Sequence, residues 1–115
     1  MKPACVFCRL RDQKEPARLV YEDEAVLAFE DINPQAPVHL LIIPKEHYAS
    51  LAHIPEDQDS LLGRLLLVAA KLAKAKAIDR TGYRLVINTG PDSGQAIFHL
   101  HVHLLGGRRF SWPPG

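Results

Sequence analysis

Three histidines stand at alternate positions near the C-terminus, in the segment Phe98–Leu105, which reads Phe-His-Leu-His-Val-His-Leu-Leu. Because successive side chains of a β-strand point to opposite faces, this spacing predicts His99, His101 and His103 on one face of a strand over 97–105 and apolar residues on the other. An ordinary solvent-facing strand does not need three imidazoles in a row. The row therefore indicates a chemical site.

The composition is typical of a globular protein with one domain. A chain of 115 residues can build a single core and is too short for two ordinary domains, so residues 1–115 are predicted to form one domain. Apolar residues make up 47%, charged residues 23%, and the formal net charge is +1. We expect no nucleic-acid partner and no membrane partner at this charge balance. Charges interrupt the longest apolar stretch, 61–77, so neither a membrane span nor a signal peptide is expected, and a cytoplasmic location is predicted.

Hydrophobic periodicity and turn residues divide the chain into strands and one long helix. Two β-rich runs joined by the acidic turn 22–24 predict a hairpin. An amphipathic pattern that begins with Pro55, Glu56 and Asp57 predicts a helix, whose dipole the two acids complement. The predicted elements are strands over 17–21, 25–29, 38–43, 83–88 and 97–105, the helix over 55–78, and a turn-rich loop over 89–94. The predicted fold class is α+β, an antiparallel sheet of about five strands with the long helix on one face.

The histidine row could serve metal binding or phosphate chemistry. Residues i and i+4 of one strand lie about 13 Å apart at their Cα atoms, at a rise of about 3.3 Å per residue, so one ion cannot bind all three imidazoles. Imidazole attacks phosphorus readily near neutral pH and forms a labile phosphohistidine. The pattern therefore favours a nucleophilic histidine beside a hydrogen-bonding neighbour.

The loop before the histidines supports phosphate binding. Gly90 and Gly94 permit a backbone that approaches a phosphate closely, while Asn88, Ser93 and Gln95 carry uncharged donors. Short glycine-containing loops are common in hairpins, so the loop gains weight only from the histidines that follow it. Together the two segments predict a phosphate cradle.

Cys5 and Cys8 are the only cysteines in the sequence. In a reducing compartment a two-residue gap suits metal ligation or redox chemistry better than a structural disulfide. A thioredoxin-like pair should follow a strand, and none is predicted before residue 5, so zinc is favoured if two more ligands exist. The alternative is that both thiols are small buried apolar groups.

Taken together, these segments resemble the histidine triad superfamily of nucleotide hydrolases and transferases over nearly the whole chain. The pattern His-φ-His-φ-His-φ-φ, with φ apolar, is the signature of that superfamily. Further segments resemble its branch of histidine triad nucleotide-binding proteins rather than the diadenosine-polyphosphate hydrolases: 31–39, 43–47, 94–95, 105–108 and 112–115. The resemblance implies the HIT-like fold with one long and one short helix. It also implies a two-fold homodimer, paired through the long helix and an edge strand, whose sheet continues across the interface.

The resemblance implies a role for each matching residue. His101 would attack the α-phosphorus and become nucleotidylated, His103 would hydrogen-bond a phosphoryl oxygen, and His39 would lie behind them in the catalytic network. Asp31 would bind the ribose hydroxyls. The other implied contacts are Asn88, Gly94 and Gln95 with the phosphate, and Phe7, Leu10, Phe29 and Ile32 with the base. Without the resemblance, the four apolar residues would be interpreted as core.

The resemblance also implies a metal. Some members share zinc ligands with galactose-1-phosphate uridylyltransferase, and the corresponding residues imply one structural Zn²⁺ per chain. These residues are Cys5, Cys8, His47 and His99. No organic cofactor is implied.

The expected activity is hydrolysis of phosphoramidates or related derivatives of AMP or GMP. The alternatives are a nucleotide-binding adaptor with little turnover, and a nucleotidyl transferase or dinucleoside polyphosphate hydrolase of the same superfamily. One residue departs from the family pattern: Ala96 replaces a serine whose hydroxyl faces the bridging atom of the scissile bond. This change predicts slower phosphoramidate turnover.

Overall fold

An antiparallel sheet forms the centre of the molecule. In the computed structural model, which describes residues 5–115, its strands are β1 (Leu19–Glu22), β2 (Val26–Glu30), β3 (Val38–Pro44), β4 (Tyr83–Val86) and β5 (Val102–Gly106). The helices in that span are α1 (Val6–Arg11) and α2 (Asp59–Ala75), with 3₁₀ turns at Leu51–His53, Glu56–Gln58 and Pro91–Ser93. The strand order is β1-β2-β3-β5-β4. The predicted α+β class and antiparallel sheet are confirmed.

The two faces of the sheet are covered differently. Alternate residues of β2 and β3 fall into two separate apolar clusters, so β3 is buried on both faces, as its apolar run predicts. The larger cluster joins α2 to one face and includes Leu65, Val68, Leu72, Leu100, Val102 and Leu104. On the other face Phe7 of α1 packs with Leu41 of β3. Since Leu41 pairs with His103 of β5, His103 lies on the α1 face.

The β1-β2 hairpin is joined to α2 by one carboxylate. Asp23 Oδ1 accepts the backbone N–H groups of Ala25 and Val26 at 2.8 Å each, which fixes the turn. Its Oδ2 accepts from Arg64 of α2 at 2.6 Å and from the Tyr21 hydroxyl at 2.7 Å. The predicted hairpin therefore forms with its turn attached to the long helix.

The strand that carries the histidines is shorter than predicted. The prediction covers 97–105, whereas β5 begins at Val102. Leu100 N–H donates to the Tyr48 carbonyl at 2.7 Å, so the backbone there is bonded outside the sheet. The strand predicted over 83–88 likewise ends early, at Val86.

The long helix is also shorter than the predicted range 55–78. A 3₁₀ turn precedes Asp59, where α2 begins. At its other end Ala77 adopts φ +60°, and Ile78 N–H bonds back to the Ala73 carbonyl at 3.0 Å, which ends the helix and turns Ile78 into the core. No helix in the described part of the chain is long and apolar enough to cross a membrane.

Candidate active site and metal centre

The three histidines of the row share one face, although only His103 lies within β5. The Phe7 ring meets the rings of His99 and His101 edge-on, at centroid distances of 5.9 and 5.3 Å. The rings of His101 and His103 are 5.0 Å apart. The alternation predicted for a strand therefore holds through 99–101 without strand pairing, because the apolar residues between the histidines stay in the core beneath α2.

The hydrogen bond of His101 fixes its tautomer. Its Nδ1 lies 2.7 Å from the backbone carbonyl of His99. A carbonyl oxygen can only accept, so Nδ1 carries the proton of the neutral ring. The lone pair is then on Nε2, and His101 is equipped to attack an electrophile through that atom.

His103 has the opposite arrangement. The backbone N–H of Gln35 donates to His39 Nδ1 at 3.0 Å, so the proton of His39 resides on Nε2. His39 Nε2 lies 2.9 Å from His103 Nδ1 and 3.3 Å from Asp31 Oδ2. His103 Nδ1 therefore accepts a hydrogen bond, and the proton of His103 is on Nε2, where it can be donated.

Both rings of this network are neutral near pH 7. Burial, with a smaller contribution from the adjacent rings of His101 and His39, lowers the pKa of His103 to about 4. Burial also lowers the pKa of His39, against the opposing effect of the Asp31 carboxylate. Each imidazole thus carries one N–H, whose position the hydrogen bonds determine.

The glycine-containing loop has the backbone predicted for it but different side-chain contacts. Gly90 and Gly94 have φ of +84° and +80°, which glycine adopts without strain. Gln95 Oε1 accepts from Gly90 N–H at 3.1 Å, and its Nε2 donates to the carbonyls of Ala49 and Ile97. The Ser93 hydroxyl donates to the Gly90 carbonyl. The side chains of Gln95 and Ser93 therefore brace the loop. Asn88 is partly buried just before the loop.

A cleft of about 200 Å³ lies beside the histidines. All five residues predicted to bind a nucleoside line it: Phe7, Leu10, Phe29, Asp31 and Ile32. Phe7 and Phe29 are buried and meet edge-on at 5.3 Å, whereas Ile32 is 96% exposed. Asp31 Oδ1 accepts from Asn33 N–H at 2.8 Å, which fixes the carboxylate at the cleft. Sequence reasoning missed Val6 and Ile97, which also form the wall.

Next to His101 is a cluster of two thiols and two imidazoles. Cys5, Cys8, His47 and His99 offer ligand atoms that all lie within 4.8 Å of one another. The sulfur-to-Nδ1 distances are 3.5 Å for Cys5 and His99, 3.3 Å for Cys8 and His47, and 3.6 Å for Cys8 and His99. The two Nδ1 atoms are 3.1 Å apart.

This cluster fits a tetrahedral metal ion. With Zn–S of about 2.3 Å and Zn–N of about 2.0 Å, neighbouring ligand atoms are about 3.3 to 3.8 Å apart, close to the distances found. His99 Nε2 lies 2.8 Å from the Pro44 carbonyl, so it carries the proton and leaves Nδ1 as a ligand. Burial lowers the pKa of His99 to about 4, which keeps that lone pair free of a proton at neutral pH.

The short helix α1 brings the two cysteines together. Cys5 is its N-cap, and its Sγ accepts the N–H of Cys8 at 3.3 Å. A helical turn therefore converts a two-residue gap in sequence into two sulfurs directed at one point. Cys8 and His99 are buried, while His47 is exposed.

The chain is similar to known proteins over most of its length. The sequence pattern of the HIT domain matches residues 12–110. The chain belongs to the HIT domain family. A 14 kDa zinc-binding protein of Zea mays is 51% identical over 112 residues, which are 96% of this chain and 87% of that protein. The crystal structure of a HIT family hydrolase from Legionella pneumophila has a TM-score of 0.94 at 50% identity, over 96% of this chain and 99% of that one.

A histidine triad nucleotide-binding protein from Candida albicans is also similar in structure. Its TM-score is 0.83 at 34% identity, over 96% of this chain and 83% of that one. The match to the HIT domain begins after Cys5 and Cys8. The thiol pair therefore lies outside the matched residues, and a function for it has to be argued from the geometry of the four-residue cluster.

Proposed function

We propose that this protein hydrolyses phosphoramidates and related derivatives of purine nucleoside 5′-monophosphates through a nucleotidyl intermediate on His101. The observation that carries the proposal is the opposite protonation of two adjacent rings. His101 Nε2 has a lone pair, and His103 Nε2 has a proton. A nucleophile and a donor side by side suit attack on a phosphoryl group, which needs both an electron pair at phosphorus and a hydrogen bond to oxygen.

In the first step His101 Nε2 forms a bond to the α-phosphorus. The bond from phosphorus to the leaving group breaks, and the leaving amine departs with its electron pair and takes a proton from solvent. His103 Nε2–H donates to a phosphoryl oxygen as charge develops there. The His101 ring becomes cationic, and its Nδ1–H bond to the His99 carbonyl stabilises that charge.

In the second step water attacks phosphorus. The bond between phosphorus and Nε2 breaks, its electron pair returns to His101, and the proton of water is released to solvent. The product is the nucleoside 5′-monophosphate, and the lone pair of His101 is restored.

The cleft supports a purine nucleoside as the substrate's recognition group. Phe7 and Phe29 provide apolar and aromatic surface for a base, and the Asp31 carboxylate can accept from ribose hydroxyls. The related protein from Candida albicans carries nucleotide binding in its name. AMP and GMP are both accommodated in this proposal, since the base would contact apolar side chains.

For the thiol and imidazole cluster we propose one structural Zn²⁺ per chain. When bound there, the ion would cross-link α1 to the segments that carry His47 and His99. The related protein of Zea mays is named for zinc binding. His99 would then connect the two sites, because its side chain is a ligand and its carbonyl holds the His101 ring.

We propose a two-fold dimer paired through β4 and α2. β4 is an edge strand of the sheet, and α2 exposes Leu66 and Leu67, at 44% and 64%. An open strand edge and exposed apolar residues on α2 each favour pairing with a second copy. Leu67→Glu should yield a monomer in sedimentation, whereas Leu19→Glu, on the opposite edge strand, should remain dimeric. A monomeric wild-type protein at tens of micromolar would refute the dimer.

The activity is tested with an adenosine 5′-phosphoramidate whose AMP release is followed by chromatography. We expect turnover by the wild type and none by His101→Asn. His53→Asn is the matched control, because His53 lies in the 3₁₀ turn at Leu51–His53 and bonds Ser50. Tight AMP binding without turnover by the wild-type protein would favour an adaptor and contradict the proposal.

A further inference from the structure

Arg108 is joined to the histidine network by a series of hydrogen bonds. Its Nε donates to the Gln35 carbonyl at 2.9 Å, and Gln35 N–H donates to His39 Nδ1 at 3.0 Å. His39 Nε2–H then donates to His103 Nδ1 at 2.9 Å. The series starts at an exposed guanidinium and ends at the ring proposed to donate to the phosphoryl oxygen.

The chain fold brings Arg108 to this loop. Gly107 follows β5 with φ +89°, and a Cβ there would lie only 2.9 Å from the Pro37 side chain. A glycine therefore lets the end of β5 pack against the loop that contains Gln35. The Arg108 guanidinium lies 4.3 Å from the centroid of the Phe110 ring, and its Nη1 donates to the Arg109 carbonyl. These contacts orient Nε toward Gln35.

The direction of the series decides what His103 can do. If Gln35 N–H left His39 Nδ1, the His39 proton could move to that atom and its lone pair to Nε2. His103 would then have to donate from Nδ1, and its Nε2 would present a lone pair. A lone pair facing a phosphoryl oxygen repels it, so a single exchange of tautomers would remove the donor.

We propose that Arg108 is a positioning residue for this network: by holding the Gln35 carbonyl it keeps Gln35 N–H on His39, and so keeps the His103 proton on Nε2. The consequence for turnover rests on the proposed function. The predicted tautomers of His39 and His103 do not depend on the proposed function. Asp31 Oδ2, at 3.3 Å from His39 Nε2, favours the same tautomer from the other end, so loss of Arg108 weakens the preference and does not abolish it.

The test uses Arg108→Met, which keeps an apolar stem against Phe110 and removes the donors. Arg108→Lys is the rescue variant, because its ammonium can donate to the Gln35 carbonyl. Arg109→Met is the control, with the same change of charge one residue away. The tautomers are measured by NMR of the full-length protein with ¹⁵N-labelled histidine at pH 7, and kcat and KM with the phosphoramidate.

In the wild type we expect the protons of His39 and His103 on Nε2. In Arg108→Met we expect mixed tautomers for both rings and a fall in kcat of about tenfold, with KM changed less than about twofold. Arg108→Lys should recover most of both signals, and Arg109→Met should match the wild type.

Unchanged tautomers in a folded Arg108→Met protein would overturn the proposal. So would a loss of kcat that Arg109→Met shares, or altered tautomers in Arg108→Met that Arg108→Lys fails to restore. If Arg108→Met does not fold, Arg108→Lys decides: wild-type tautomers in that variant support the proposal and altered ones contradict it. If the wild type shows no turnover, the proposed function fails while the NMR result still decides the role of Arg108.

Discussion

Two pairs of histidines lie on the same face of the sheet: His47 with His99, and His39 with His103. Within each pair two ring nitrogens lie close together, but the two pairs suit different binding partners. Nδ1 of His47 and Nδ1 of His99 are 3.1 Å apart, and Nε2 of His39 and Nδ1 of His103 are 2.9 Å apart. The distances are almost equal. The pairs differ in the group that is hydrogen-bonded to the nitrogen facing away from the partner ring, and in the charged groups around each pair.

At the His47 and His99 pair, two sulfurs surround the meeting nitrogens, and the Pro44 carbonyl occupies His99 Nε2. The lone pair of His99 is thereby turned toward the thiols, where a cation would satisfy it. The geometry of this pair fits the proposed metal ion.

At the His39 and His103 pair, a backbone N–H occupies His39 Nδ1, so the shared position holds a proton. The Asp31 carboxylate, His39 and His103 lie close enough together to hold an ion. A metal at His39 Nε2 would nevertheless require a ring stripped of its last proton. A single main-chain donor therefore distinguishes a hydrogen-bonded histidine pair from a possible metal site of similar dimensions.

Loss of a thiol should have the largest effect. Cys5→Ala should remove the metal and lower the free energy of unfolding by about 4 kcal/mol when free zinc is roughly 1,000 times its Kd, since binding to the folded state alone contributes that much. Thermal unfolding and metal analysis measure both. AMP affinity should change far less than stability.

A chelator provides the control for this experiment, because it should destabilise the wild type and leave Cys5→Ala unaffected. Wild-type protein purified without chelator from zinc-replete cells and found free of zinc would contradict the metal assignment.

Removal of the hydrogen-bond donor His103 should have a smaller effect, which is seen first in the kinetics. His103→Ala should slow formation of the nucleotidyl protein by roughly a hundredfold, about 2 to 4 kcal/mol, as loss of one oxyanion donor does, with zinc content unchanged. His101→Ala should form no nucleotidyl protein at all, because the attacking atom is gone. Mass spectrometry of samples quenched without acid locates the added mass. An adduct on His99 or His103, or one that persists in His101→Ala, would show that the roles along the row are assigned wrongly.

The sequence predicts which side chains form the two pairs, but it predicts less well where the surrounding strand and helix begin and end. Period-two alternation is a local property, so the shared face of the histidines and the buried Leu100 between them follow directly from residues 97–105. The start of β5 does not, because it depends on the bond from Leu100 to the distant Tyr48 carbonyl. The helix end at Ala75 likewise depends on a positive φ at Ala77. Alanine seldom adopts a positive φ, and nothing in the sequence pattern around Ala77 indicates one.

The groups that fix tautomers could not be predicted. They are the carbonyls of Pro44 and His99 and the N–H of Gln35, and every residue type except proline has the same main-chain donor and acceptor. Gln95 shows that a side chain of suitable type can also be directed elsewhere. Its amide could donate to a phosphate, but in the fold it is bonded to the Gly90 N–H and to the carbonyls of Ala49 and Ile97. Residue types indicate which chemistry is available, and only the fold shows how it is directed.

The smallest effect should be a difference in how stability depends on pH. Folded His103 has a pKa near 4 because it is buried, whereas an unfolded histidine titrates near 6.5. The unfolded state therefore binds more protons between these values, and stability is complete above pH 6.5 and falls as pH drops toward 4. His103→Gln should remove this contribution. Between pH 7 and 5 the zinc-loaded wild type should lose about 1 kcal/mol more than His103→Gln, with the value reduced for partial solvent screening. Denaturant unfolding at both pH values measures the difference, and protonation of the zinc ligands cancels because both proteins share it. Equal losses of stability in the two proteins would mean that His103 takes up its proton in the folded state as readily as in the unfolded chain. The contrast between the His39 and His103 pair and the His47 and His99 pair would then fail.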